Sequence, residues 1–219
     1  MPDMRGLPAN PLNVRLRVAH DRLWWHTDDE DHLPERWDVS ADVWDLSVPD
    51  LRHRHVGDIT LVIADLTRER NLLDSTMLGE WALEFIAETV IDLDGTLHSE
   101  LDTALTEGPP RMVIVRSIEL ARAWRGHGLG GPLLAAALRI LAPTARVAAC
   151  RVSPLDFRRV CPDAVSAELA SMRMAVLLER IGFFPWREVH LIDLRSTALR
   201  EARMPVFDQW YPQPQHPAE

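Results

Sequence analysis

The segment Trp124-Arg125-Gly126-His127-Gly128-Leu129-Gly130-Gly131 most restricts how this chain folds. It separates a β-like run at 111–120 from a strongly apolar, helix-like run at 133–141. Closely spaced glycines between a strand and a helix let the backbone turn tightly and approach a ligand closely. They also present amides at a helix N-terminus. Those amides and the positive end of the helix dipole make a site for phosphate oxygens.

The remaining chain predicts alternating strands and helices in one domain. Val14-Arg-Leu-Arg-Val18 alternates apolar and charged residues, as a half-buried strand does, and the same pattern predicts a strand over 43–48. A β-branched run predicts another at 57–66. A helix is expected over 74–91, capped by Asp74 or Ser75, with Leu78, Trp81, Phe85 and Val90 as its core stripe. Residues 96–110 are polar and partly helical, ended by Pro109-Pro110. A strand at 112–120 leads into the glycine loop. Pro132 suits the first turn of the helix that follows, and Pro143 stops it. A short buried strand at 145–152 contains Cys150, read as a small core side chain. A helix over 166–181 ends at Gly182, and one or two strands occupy 183–194. The proline-bearing segment 1–11 reads as a loose arm, 12–206 as a single domain, and 207–219 as a flexible tail.

Composition excludes several function classes. The chain has 219 residues and a formal net charge of −9, which argues against nucleic-acid binding through a basic footprint. No apolar run is long enough to span a bilayer, and the N-terminus lacks a signal-peptide layout, so no membrane partner is expected. Cys150 and Cys161 form neither a metal spacing nor a disulfide framework, which fits a reduced, cytoplasmic setting. His26-Thr-Asp-Asp-Glu-Asp-His32 reads as a solvated loop and not as a metal site. All 24 basic residues are arginine, and Tyr211 is the sole tyrosine.

Arg125-Gly-His-Gly-Leu-Gly130 resembles the acetyl-CoA motif of the GNAT superfamily of N-acetyltransferases, Arg/Gln-x-x-Gly-x-Gly/Ala. Leu177-Leu-Glu-Arg-Ile-Gly-Phe183 resembles the family's helix end, Leu-Tyr-x-x-x-Gly-Phe. The match runs from about 111 to 194. It implies a mixed α+β fold: a central, mostly antiparallel, splayed sheet flanked by helices. It implies acetyl-CoA as acyl donor, no metal, and an acceptor that is a small-molecule amine or a protein N-terminal amine. The pyrophosphate would sit on amides of Gly126, His127, Gly128, Leu129, Gly130 and Gly131. A side chain at Gly128 or Gly130 would block that approach or demand a positive φ. Arg125 either meets phosphate or caps and packs. Ile118 and Leu120 lie where the family pairs the pantetheine arm with a strand edge. Ser171 stands at the family's CoA-contacting Asn position, and an ordinary helix serine is the other reading.

In this family the amine attacks the thioester directly in a ternary complex. The resemblance implies that the Leu120 backbone amide stabilises the oxyanion. Glu119, beside it, is the candidate general base, or else an edge carboxylate paired with Arg116 or Arg122. At the family's other base position stands Ile114, which has no acid–base chemistry. The family's tyrosine acid is replaced by Leu178. The rival reading is therefore a catalytically silent CoA-binding or regulatory module that keeps the phosphate loop. Trp81, Phe85 and Trp186 are core residues by default, with an acceptor pocket as the alternative. A homodimer in which the arm or tail completes a partner's site is a third arrangement to test.

Overall fold

The computed structural model describes residues 6–21, 34–44, 51–67, 81–158 and 160–211. The loop 26–32, the cap at Asp74 or Ser75, Leu78 and the Trp81 side chain lie outside the described residues.

Seven strands form one sheet: β1 (Val14–Ala19), β2 (Glu35–Val43), β3 (His55–Asp65), β4 (Arg111–Leu120), β5 (Val147–Arg151), β6 (Phe184–Trp186) and β7 (Val189–Asp193). Their spatial order is β1-β2-β3-β4-β5-β7-β6. All neighbours are antiparallel except β4 and β5. The fold is thus mixed α+β with a mostly antiparallel, open sheet. The helices are α1 (Trp81–Val90), α2 (Ser99–Ala104), α3 (Gly130–Leu141), α4 (Pro154–Phe157), α5 (Ala164–Arg180), α6 (Ala198–Glu201) and α7 (Met204–Trp210).

Period-2 alternation divides the sheet into two faces. One face carries Ile59, Leu61, Val113, Val115 and Ala148, buried under Leu134, Leu138 and Leu141 of α3 and Leu178 of α5. Each fully buried leucine there contributes about 1.5–3 kcal/mol. The other face carries Val62, Met112, Ile114 and Ala149, packed against Ile86 and Val90 of α1 and Leu101 of α2. Further along that face the residues turn polar: Asp38 and Ser40 on β2, Asp58 and Thr60 on β3, Ser117 and Glu119 on β4.

One irregularity opens the sheet. Thr60 pairs with Ser117, but Leu61 pairs with Val115, so Arg116 is the extra residue of a β-bulge. β5 pairs with β4 only over Met112–Ile114, just before that bulge. The remainder of β4 turns away, and the two strands splay apart.

The strand expected at 43–48 lies mostly outside the described residues, and within them β2 runs from Glu35 to Val43. In the described parts of the two ends, Leu7 and Ala9 are buried with Trp210, and α7 runs from Met204 to Trp210. The Asn10 side-chain amide also donates to the Trp210 carbonyl at 3.5 Å. These described end residues seal one another because each alone would leave apolar surface exposed.

Candidate functional site

The glycine loop hangs between two buried anchors. β4 ends at Leu120, and the 3-10 turn Arg122–Trp124 follows. Trp124 is fully buried, and its indole N–H donates to the His53 carbonyl at 3.1 Å. Leu129 is buried in the same cluster, while Arg125, Gly126, His127 and Gly128 between them are exposed. Gly126 and Gly128 have φ of +82° and +72°, which L side chains adopt only with strain. Arg125 Nε donates to the Leu120 carbonyl at 2.6 Å, tying the loop back to the strand end. No side chain caps the N-terminus of α3 at Leu129. Its first amides therefore face outward with the positive end of the helix dipole behind them.

Gly130 and Gly131 need a different explanation from the expected one. Neither has a positive φ. A Cβ on Gly130 would lie 3.2 Å from Leu177 Cδ1, and one on Gly131 would lie 2.9 Å from Ile181 Cγ2. Their small size lets α3 press onto α5. Gly182, at φ +100°, ends α5: its N–H donates to the Glu179 carbonyl and the Phe183 N–H to the Leu178 carbonyl, both at 3.0 Å. This is the double bond pattern of a Schellman cap. The second sequence motif is thus the end of the helix that supports the first.

A cleft of about 630 Å³ lies against the loop, between Gly126–Gly131 and one face of α5. A second cleft, of about 380 Å³, occupies the splay and is lined by Val115, Ile118 and Glu119 of β4 and by Cys150 and Arg151 of β5. The first cleft reaches Leu120 and the second Glu119, so consecutive residues at the end of β4 line the two. A third, of about 520 Å³, is the polar trough over β1 to β4, and it shares Ser117 and Glu119 with the second. Glu119 therefore stands at the junction of splay and trough.

The junction carries both charges, with Arg116 and Arg151 lining the splay and Arg17 and Arg36 the trough. Glu119 is exposed and makes no hydrogen bond or ion pair among the described residues. It sits directly opposite Asp58 in the β3–β4 register. His55 bridges two carboxylates, Nδ1 to Asp42 at 3.0 Å and Nε2 to Asp58 at 3.0 Å. The hydrogen bond with Asp42 holds the His55 pKa above its ordinary value; partial burial opposes this, and Asp58 adds to the rise. Arg151 ties β5 to α4 through Asp156 at 3.4 Å and lies over the Phe85 ring at 4.6 Å. Burial pushes the Cys150 thiol up to about 12.

Several expected residues are placed otherwise. Ser171 is buried and does not line the loop cleft; its Oγ donates to the Glu168 carbonyl at 2.7 Å. Leu178 is wholly inside the core, so its position offers no group to either cleft. Ile118 lines the splay with its side chain half-buried against the α3 core. Phe85 and Trp186 are partly buried beside the opposite core, as default packing predicts. Sequence reasoning missed the α5 face at 169–180 as a cleft wall. Its signal was legible: Leu169, Met172 and Val176 recur at helical spacing with Arg173 and Arg180 on the same side. Among the described residues, no group of three His, Cys, Asp or Glu side chains converges as metal ligands do, and no helix is long and apolar enough to cross a membrane.

No protein-family model matches the chain, and no curated protein sequence matches it. Several solved structures are similar, two of which follow. One is AtaT complexed with acetyl-methionyl-tRNAfMet, with 9% identity, 86% of this chain and 99% of that chain covered, and a TM-score of 0.39. The other is a single-residue variant of KacT, with 10% identity, 85% and 98% coverage, and a TM-score of 0.33. At these scores the likeness bears on neither activity nor substrate.

Proposed function

We propose that the protein is an acyl-CoA-dependent N-acyltransferase of the GNAT type, with acetyl-CoA as donor. The observation that carries this is the meeting of two features at Leu120: a glycine loop opening onto an uncapped α3, and a β4 edge released from β5 after the Arg116 bulge. The amides of Gly126–Gly131 suit a pyrophosphate, since a Cβ at Gly126 or Gly128 would point into open space. The freed β4 edge near Ile118 and Leu120 suits an amide-bearing arm that bonds like an added strand. Acetyl-CoA would supply the activated acyl group as a thioester.

The chain's own residues then take these roles. The backbone amide of Leu120 faces the developing oxyanion. Glu119 accepts the ammonium proton, directly or through a water, at the mouth of the trough. Ser117 lines the same cleft and is the hydroxyl available to the leaving thiolate in place of the missing tyrosine. The acceptor is a small-molecule amine or a protein N-terminal amine, whose ammonium would meet the unpaired carboxylate of Glu119 at the mouth of a trough that also holds Asp58, Arg17 and the Arg36–Asp38 ion pair. The formal net charge of −9 disfavours a nucleic-acid partner bound through a basic footprint. Free Cys150 and Cys161 fit a cytoplasmic setting.

Isothermal titration of acetyl-CoA into the wild type and Gly128→Glu tests the reading. The wild type is expected to bind and the variant to lose binding, because Gly128 is exposed and the new side chain adds charge and strain at the loop alone. A wild type that binds no acetyl-CoA refutes it. The burial of Leu178 favours a second reading, a CoA-binding module without turnover. Acetyl-CoA binding without thiol release over a panel of amines would select that one.

A further inference from the structure

The polar trough over β1 to β4 is ordered in rows, because strand register sets which side chains stand side by side. Arg17 of β1 pairs with Ser40 of β2, Ser40 with Asp58 of β3, and Asp58 with Glu119 of β4. All four line the trough. Three strand spacings separate the ends of this row, so Arg17 and Glu119 stand about 14 Å apart. Most charges on this face are matched by a neighbour. Asp38 meets Arg36 at 3.3 Å and accepts from the Thr60 hydroxyl at 3.3 Å. Asp58 meets His55 at 3.0 Å. Arg15, two residues before Arg17 on the same strand face, lies over the Trp44 ring at 5.0 Å. The two ends of the row are not matched: Arg17 and Glu119 are exposed, and neither makes a hydrogen bond or ion pair among the described residues. Asp21 is also unmatched, but it lies beyond the end of β1 and outside this row.

A solvated sheet face carries charges that cancel locally. Here the cancellation leaves one cation and one anion at opposite ends of a row, and the anion is the candidate base itself. The complement of such a row is a linear zwitterion, with its ammonium at Glu119 and its carboxylate at Arg17. A guanidinium suits that carboxylate because its planar fork offers two parallel N–H···O bonds. Resting on the acyltransferase reading above, we propose that the acceptor is a linear zwitterionic amine of the short free peptide class, and that Arg17 selects its carboxylate. With contacts of about 2.8 Å at each end, the ammonium and the carboxylate would lie about 8–14 Å apart. An extended chain of about three or four residues has that span. Ser40 and Asp58, at the middle of the row, would face its peptide groups. In the reaction the peptide's amine nitrogen bonds the acyl carbon and the C–S bond breaks. CoA leaves as the thiol, and the surplus ammonium proton goes to Glu119. A long polypeptide brings no carboxylate to Arg17, so the row separates free short peptides from protein N-termini.

The test is thiol release from acetyl-CoA by the full chain with tetra-alanine, its C-terminal amide and butylamine, for the wild type and Arg17→Gln. The free acid is expected to exceed the amide about tenfold or more in kcat/KM, the size of one charge-assisted contact, with the difference carried by KM. Arg17→Gln is expected to abolish that preference by weakening the free acid while leaving the amide unchanged. The thermal midpoint should not move, because the Arg17 side chain has no partner among the described residues to lose. Equal use of free acid and amide by the wild type overturns the inference and leaves the acyltransferase reading intact, as does acylation of butylamine alone. An Arg17→Gln variant that weakens both peptides alike also overturns it, by giving Arg17 a role unrelated to the carboxylate. Absence of thiol release with all three amines overturns it too, and titration of acetyl-CoA then judges the CoA reading separately.

Discussion

Trp124 is expected to be the most costly side chain to remove around the glycine loop. It is wholly buried in the cluster with Leu7, Val56, Leu129 and Trp210, and its indole N–H is bonded to the His53 carbonyl. Trp124→Ala removes a large apolar body that the surrounding β2 end, arm and tail cannot collapse to fill. Substitutions of this kind cost about 3–5 kcal/mol. For a chain of this length each kcal/mol lowers Tm by about 2–4 °C, so the loss amounts to roughly 6–20 °C. Trp124→Phe keeps most of the apolar body and loses the hydrogen bond, costing about 1 kcal/mol for that bond plus the smaller volume change. Urea unfolding followed by circular dichroism measures both. Hydrogen exchange supplies the local readout: the hydrogen-bonded amides of Trp124 and Arg125 should exchange faster in Trp124→Phe, because one of the loop's two anchors is loosened. A loss below about 1.5 kcal/mol in Trp124→Ala, far under the usual range for a buried tryptophan, would refute the anchoring argument. So would unchanged exchange at the Trp124 and Arg125 amides.

Two histidines should bend the pH–stability curve in opposite directions. His190 is held below its ordinary pKa by burial, partly offset by Glu179 at 3.9 Å. The unfolded chain therefore binds a proton there first, and its contribution is lost as pH falls from about 6.5. His55 is held above its ordinary value, so its contribution is full below about 6.5 and fades as pH rises through its folded pKa. In thermal melts from pH 5 to 8, His190→Gln should flatten the acid limb and His55→Gln the neutral-to-basic limb; matching changes in the two variants would contradict the assignment. The cysteines should differ in reactivity. With its thiol pushed up to about 12, Cys150 stays protonated and buried at pH 8, whereas Cys161 is partly exposed. Mass spectrometry after iodoacetamide should find one alkylated cysteine in the native protein and two after unfolding. Alkylation of Cys150 in the native state would overturn this.

Much of the fold and site was legible along the chain because the signals are local. The β3 and β4 runs, the α5 span and the Gly182 cap each depend on residues within one turn or one strand of each other. The loop's two positive-φ glycines follow from the same kind of rule. Ser171 was not legible in this way. A serine seven residues before Leu178 carries no mark of which way it faces, and rotation of α5 onto Gly130 and Gly131 sends its hydroxyl inward to the Glu168 carbonyl. Residues 36–43 alternate as well, and their place in the sheet beside β3 was not read from the chain, because a register exists only relative to a partner strand.

The sequence by itself determined that a strand must end, turn through glycines and restart as a helix near residue 130, because backbone sterics permit little else. It also determined that α5 stops at Gly182. Only the tertiary structure decided that Arg116 bulges out of register and opens β4 from β5, since a bulge exists only relative to a partner strand. Only the tertiary structure brought Leu7 onto Trp210, 203 positions apart, and placed Glu119 between two clefts. It also set Arg173 and Arg180 across from the glycine loop. Those placements come from burying apolar surface contributed by distant segments, and no local pattern encodes which segments meet.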